Sequence, residues 1–297
     1  MADCVAVTRS LPYSIQVCLV ALVYLVAAKA ALLFAIPPGY ATAIWPASGI
    51  AVASCLLLGE RIWPAIWLGA TLANLPVAYS LFAAPAIACG NTLEAVACAA
   101  LVRALSGVGP RFERGEHVIK FAAAAGMSCI IAATVAVHVL IADGAMSWSQ
   151  FAVNWWTWWQ GDLTGIIVVT PLLLSWALHD ERFPLPGRTV EFFALIATSS
   201  LIAMAIFGDW LVDGRSLPLS FLVMLFVVWA AFRFSQREVT TVTAVISGIA
   251  IWCTLNGRGE FVRPTLNESL LYLLAFVCTA TVTGLVLSAA LRGRGHN

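Results

Sequence analysis

The chain is 297 residues long, 61% of them hydrophobic and 10% charged, with a formal net charge of +1. A soluble domain carries roughly 25% charged residues, so this composition excludes a water-soluble globular fold and places the chain in the membrane class. The balanced charge comes without a basic block or an acidic tail, which argues against a nucleic-acid partner.

Ten apolar runs are predicted to cross the bilayer, at about 11–36, 43–59, 62–80, 83–103, 118–141, 150–177, 190–211, 217–233, 238–255 and 268–290. Eight is the alternative count; the third and fourth runs are the least distinct, because Ala78 to Pro85 barely separates them. The first run is longer than the hydrophobic core of a secretory signal and lacks a cleavage site, so it is expected to stay as a helix. Pro37-Pro38-Gly39 ends it, since proline cannot continue the hydrogen-bond ladder. Gly59-Glu60-Arg61 divides the second run from the third, and Ser106 to Gly115 is a polar loop. His179-Asp180-Glu181-Arg182 to Gly187-Arg188 is the longest hydrophilic connection in the middle. The chain therefore reads as a single integral membrane domain over 1–297, with a six-helix front part at 11–178 and a four-helix back part at 190–291.

The distribution of arginine and lysine sets the orientation. With the N-terminus in the cytoplasm, the inner side collects Arg9, Arg61, Arg103, Arg111, Arg114, Lys120, Arg182, Arg188, Arg233, Arg237, Arg292 and Arg294, and the outer side only Arg215, Arg258 and Arg263. Twelve against three supports an even number of spans with both ends inside. The predicted fold class is thus an all-α, polytopic transmembrane helix bundle, N-in and C-in, whose first partner is the lipid bilayer itself.

Polar residues inside the runs carry the functional signal. At 1.5 Å per residue, Lys29 and Asn74 lie about 10 Å and about 9 Å from the outer ends of their helices, Glu94 about 16 Å and Asp162 about 18 Å. A buried charge in a bilayer costs at least about 2.5 kcal/mol unless it faces protein, water or a counter-charge. The inner halves of the same helices are nearly pure Ala, Leu, Ile and Val. We therefore expect a pocket or a buried network reached from outside, formed by Lys29, Asn91, Glu94, Trp155, Trp159 and Asp162. Lys29 paired with Glu94 or Asp162 is equally consistent with a structural ion pair that holds helices in register. Asn91, three residues before Glu94, shares its face and orients it in the plain structural reading. Asn74 beside Pro76 reads as satisfying a carbonyl freed by a kink.

Four tryptophans between Trp155 and Trp159 exceed an interfacial belt, because they occupy more than one helix face. Trp45, Trp148, Trp210 and Trp252 suit the outer interface, and Trp63 and Trp176 the inner one. His138 has no second ligand at metal spacing, and the eight cysteines are scattered without a CxxC pair, so they read as packing residues. No P-loop, GxSxG, HExxH, kinase or cyclase motif is present. No catalytic activity, metal or cofactor is therefore expected.

Several stretches together resemble a known family. They are Pro37-Pro38-Gly39, Trp45-Pro46-Ala47-Ser48-Gly49-Ile50-Ala51-Val52-Ala53, Leu57-Leu58-Gly59-Glu60-Arg61-Ile62-Trp63-Pro64-Ala65-Ile66-Trp67-Leu68-Gly69-Ala70 and Ala73-Asn74. Gly90-Asn91-Thr92-Leu93-Glu94-Ala95, Gly161-Asp162-Leu163-Thr164-Gly165, Thr170-Pro171-Leu172-Leu173-Leu174 and Trp229-Ala230-Ala231-Phe232-Arg233-Phe234 complete the set. This order resembles the bacterial membrane-associated sensor domain of the first type, over nearly the whole chain. The membrane part of hexose-phosphate sensor kinases is similar.

The resemblance implies the input half of a sensor histidine kinase, diguanylate cyclase or phosphodiesterase in the bacterial inner membrane. It implies as partner a cytoplasmic kinase or cyclase output domain, fused or in trans, with a membrane protein as a further candidate. Family members continue past the last helix, whereas Arg292-Gly293-Arg294-Gly295-His296-Asn297 ends this chain; the expectation is either a cut protein or a stand-alone module. Two rivals stand beside the sensor: a transporter or substrate-capture subunit, and a scaffold that assembles partners through its Gly- and Ala-rich helix faces.

Overall fold

The computed structural model describes residues 10–33, 35–36, 41–42, 44–76, 80–106, 112–178, 187–210 and 218–294. Ten α-helices are present among them: α1 (Tyr13–Leu32), α2 (Pro46–Leu58), α3 (Trp63–Asn74), α4 (Ala83–Ser106), α5 (Gly115–Ala142), α6 (Phe151–Leu178), α7 (Thr189–Phe207), α8 (Ser220–Arg233), α9 (Gln236–Leu255) and α10 (Leu266–Arg294). Apart from a two-residue antiparallel pairing of Ala35–Ile36 with Ala41–Thr42, regular structure among the described residues is helical. The fold is all-α, as expected. Pro37-Pro38-Gly39 and the connection at 179–186 lie outside the described residues.

Each predicted run contains a helix, and among the described residues seven helices are long and apolar enough to cross a membrane alone. The three shorter helices are α2, α3 and α8, of 13, 12 and 14 residues. At 1.5 Å per residue these rise about 18–21 Å, short of the ~30 Å hydrocarbon core. Composition did not mark where α2 begins or α3 ends, because residues 43–45 and 75–78 are as apolar as those within the two helices.

Local chemistry explains the short pair. Pro46 and Pro64 start α2 and α3 at the first helical positions, where the missing N–H has no intrahelical partner to lose. Gly59 stops α2 with φ of 92°, a conformation open to glycine. A single 3-10 turn, Glu60–Ile62, then reverses the chain into α3.

The chain forms two compact units, one from 2–110 with 120–174 and one from 111–119 with 175–297. In the first, Tyr13 at the start of α1 donates its hydroxyl to the Arg61 carbonyl at 2.6 Å, and Arg103 near the end of α4 pairs with Glu60 at 2.6 Å. Positions assigned to the inner side by the charge bias thus meet at one end. At the other, the Ser80 N–H donates to Asp143 at 3.1 Å, joining two connections assigned to the outer side.

The second unit repeats the alternation. Arg233 and the Trp229 indole both bond Glu191 at its inner end, and the Gly259 N–H donates to Asp209 at 2.8 Å at its outer end. Its core is Phe207, Phe261 and Phe276 in mutual contact, with Gly284 letting α10 approach Val227 and Val239. Ser235 and Glu238 form a reciprocal capping box that starts α9.

In a cysteine-free background, Trp148→Cys should react with a membrane-impermeant maleimide on intact cells. Arg61→Cys should react only after permeabilisation. Labelling of Arg61→Cys on intact cells would overturn the N-in arrangement.

Candidate functional site

The site is built where a broken span meets an unbroken one. Residues 44 and 45 reach α2 without helical structure. They lie against the middle of α6, where irregular backbone is tolerated only if protein satisfies its polar groups. Gly161 and Gly165 on α6 make that contact. A Cβ on Gly161 would lie 2.5 Å from the Thr42 carbonyl oxygen, and one on Gly165 would lie 2.0 Å from that of Trp45. The backbones touch so closely that the Trp45 N–H donates to the Gly161 carbonyl at 2.9 Å, across from a helix that has no spare donors there. Thr42 closes its own turn onto the Ile44 carbonyl, and Thr170 donates to the Gly49 carbonyl at 3.0 Å.

This clasp seats Ser48, in the first turn of α2, beside Asp162. The Ser48 hydroxyl donates to Asp162 Oδ1 at 2.9 Å. The free N–H groups of a helix N-terminus favour negative charge, so α2 presents its positive end at the depth of a carboxyl group. Asp162 is 1% exposed and Glu94 is 0% exposed. Each stands eleven residues into its helix from the outer end, since α6 begins at Phe151 and α4 at Ala83. At 1.5 Å per residue both are about 16 Å deep. Their carboxyl groups face each other within hydrogen-bond reach, with the Cys129 thiol of α5 beside Glu94 and the Trp158 indole beside Asp162. The Tyr24 hydroxyl, fully buried on α1, accepts from the Trp45 indole at 3.4 Å and from the Asn91 amide at 3.3 Å.

Donors fall short of acceptors. Asp162 Oδ2, both Glu94 oxygens and Asn91 Oδ1 are buried with no donor in good bonding geometry, although Ser48 and Cys129 lie near Glu94 and Trp158 near Asp162. A buried acceptor left unpaired costs about 1–3 kcal/mol, more when it is charged.

The six sequence-predicted residues fall into three settings. Asn91, Glu94 and Asp162 converge, linked through Tyr24 and Ser48. Trp155 and Trp159 instead tie α6 to α5: their indoles donate to Thr134 Oγ1 at 3.0 Å and to the Gly126 carbonyl at 2.9 Å. They stack with Trp156 between them, at centroid distances of 6.0 and 5.1 Å.

Lys29 forms no ion pair among the described residues. Its ammonium donates to the Ala73 carbonyl at 3.1 Å, one of the four carbonyls that the end of α3 leaves without a helical partner. Asn74 donates to the Ala70 carbonyl at 2.9 Å, in the same turn. Helix spacing alone did not single out Ser48, Tyr24, Trp45, Cys129 and Trp158. The signals for them were present: a serine two residues after the helix-starting Pro46, and glycines four apart on either side of Asp162.

A family model described as MASE1 matches residues 16–294. No curated protein and no solved structure shows a match.

Gly165→Val should push the 44–46 backbone off α6 and lower stability by about 1–3 kcal/mol or more, read as an earlier melt in detergent. Gly126→Ala, whose added Cβ would sit 3.9 Å from the Trp159 ring, is the control and should melt no lower than the parent. Equal melting of the two variants would remove the clasp from the account.

Proposed function

The chain belongs to the MASE1 family, a family of membrane sensory input domains, and on that premise we propose that it reads a signal in the outer half of the bacterial inner membrane. The signal is a small ligand arriving from the periplasm or the membrane, or a membrane partner, and it is relayed to a cytoplasmic kinase or cyclase domain, fused or in trans. The observation that carries this reading is the undercompensated polar centre at Glu94 on α4 and Asp162 on α6, with the first turn of the short helix α2 against it through Ser48.

A sensor needs two packings with different affinity for its signal. The clasp supplies an element suited to two positions. α2 carries Ser48 at its upper end, in contact with Asp162. At its lower end it carries the turn whose Glu60 and Arg61 meet Arg103 and Tyr13. A change at the centre that loosens the Ser48–Asp162 contact shifts α2 as a short rigid rod. The inner ends of α1 and α4 then move with it, on the side where an output domain lies.

One feature favours transport as the rival reading. Half-helices with N-termini at mid-depth also form the binding sites of secondary transporters. Against this, the inner halves of the front helices offer no polar route to the cytoplasm. Proteoliposomes holding only this chain decide between the two by substrate uptake.

The sensor reading is tested by fusing the full chain ahead of a diguanylate cyclase domain. Asp162→Asn and Glu94→Gln should each lock cyclase output at one level, whatever the external conditions, while the chain still inserts in normal amount. Parental signalling by both variants would remove Glu94 and Asp162 from the sensing path.

A further inference from the structure

We propose that the Glu94–Asp162 pair is a proton-binding site, in which a single proton bridges the two carboxyl groups, and that this proton is the species the sensing centre takes up. The inference rests on the sensor reading and names its ligand. Three counts carry it, and each comes from the geometry.

The first count is of donors. The two acids face each other on α4 and α6, and three of their four oxygens have no donor in good bonding geometry, with only the Ser48 hydroxyl and the Cys129 thiol near Glu94 and the Trp158 indole near Asp162. One turn before Glu94, the buried Asn91 Oδ1 is a further acceptor without a donor, while the other end of that amide is held by Tyr24. Two carboxylates in contact have nothing to offer each other. A carboxyl group and a carboxylate do: the O–H of one donates to the oxygen of the other, and one proton satisfies both sides.

The second count is of charge. The titratable groups that face the pair are Tyr24 from α1, Cys98 on α4 and Cys129 from α5, and none is basic. From α2 comes only the Ser48 hydroxyl, and from α6 itself the Trp158 indole. Lys29, on α1 with Tyr24, is engaged with the Ala73 carbonyl. Like charges at contact in a medium of low dielectric constant cannot both persist, the constraint that makes paired carboxyl groups elsewhere share a proton.

The third count is of space and ligands. Both side chains are enclosed, at 0% and 1% exposure. Among the described residues, no three His, Cys, Asp or Glu side chains meet as a metal site. Calcium takes six to eight oxygens, and magnesium keeps several waters. A proton needs neither ligands nor volume.

The step balances simply. When the bridge opens, the O–H bond of the protonated carboxyl breaks, the proton passes to water, and two carboxylates remain. Their repulsion separates α4 from α6 and pulls Asp162 from Ser48, the contact that fixes the upper end of α2. Uptake of one proton reverses each change.

The test is infrared spectroscopy of the full chain in nanodiscs at neutral pH. The parent should show a protonated-carboxyl carbonyl band that moves in heavy water. That band should be lost in Glu94→Gln and in Asp162→Asn. Growth with 13C-labelled glutamate or aspartate should move the band in the parent protein, so a variant that fails to fold does not block the answer. Absence of the band, or its survival in both well-folded variants, overturns the proposal. So does a band that appears only when sodium is replaced by choline, because a metal ion would then hold the site. A missing band with output still locked in the cyclase fusions sinks the proton and leaves the sensor. A present band with parental signalling by both variants sinks the sensor.

Discussion

Backbone polar groups in a bilayer have no water to fall back on, and that constraint organises this molecule. A chain that is not helical at mid-depth survives there only if another part of the protein meets its N–H and C=O groups. Here Gly161 and Gly165 remove the side chains that would keep a second backbone away, and the Trp45 N–H bonds the Gly161 carbonyl. Everything at the centre follows from that contact. It permits α2 to start halfway down, it puts Ser48 beside Asp162, and it brings the Trp45 indole to Tyr24. With side chains at 161 and 165, α2 would be displaced and Asp162 would face an unfilled gap.

The polar residues around this centre differ in how fully the scaffold satisfies them. Lys29 and Asn74 serve the end of α3, where a short helix stops inside the membrane and leaves carbonyls to be met. Trp155 and Trp159 serve the α5–α6 contact through their indole N–H groups. Once these are assigned, the carboxyl pair and Asn91 are left with acceptors that nothing in the scaffold requires. Other buried acceptors without a partner, such as Gln160 Oε1 and the hydroxyls of Ser247, Thr281 and Ser288, stand singly, whereas the carboxyl pair and Asn91 gather four such atoms in one cluster, and that concentration is the pointer to function.

Short helices serve more than one purpose. α2 and α3 are joined by a single tight turn at the inner end, held by Tyr13 and Arg103. That turn lies at the opposite end of α2 from Ser48. One rigid element about 20 Å long, at 1.5 Å per residue, thus links the acid pair to the cytoplasmic side. In the second unit, Glu191 gathers Arg233 and Trp229 at the inner end, and Asp209 and Glu260 bond backbone N–H groups at the outer end.

Composition, run length and the arginine bias were enough to read an all-helical membrane fold, because bilayer thickness and the cost of burying charge leave few alternatives. The ordered motifs were enough for the family. Depth along each helix, which depends only on counting residues, put Lys29, Asn74, Glu94 and Asp162 in one band, and the three-residue spacing added Asn91 to Glu94. Partner choice was a different matter. Nothing in the spacing says that Lys29 caps α3 and leaves the acids without an ion pair, or that the tryptophans bond α5. Nothing in the hydropathy says that the second run begins as extended chain, because apolar residues suit a helix and a buried strand-like segment equally well. Those outcomes depend on which backbones approach closely enough to exchange hydrogen bonds, and only the packed tertiary structure decides that.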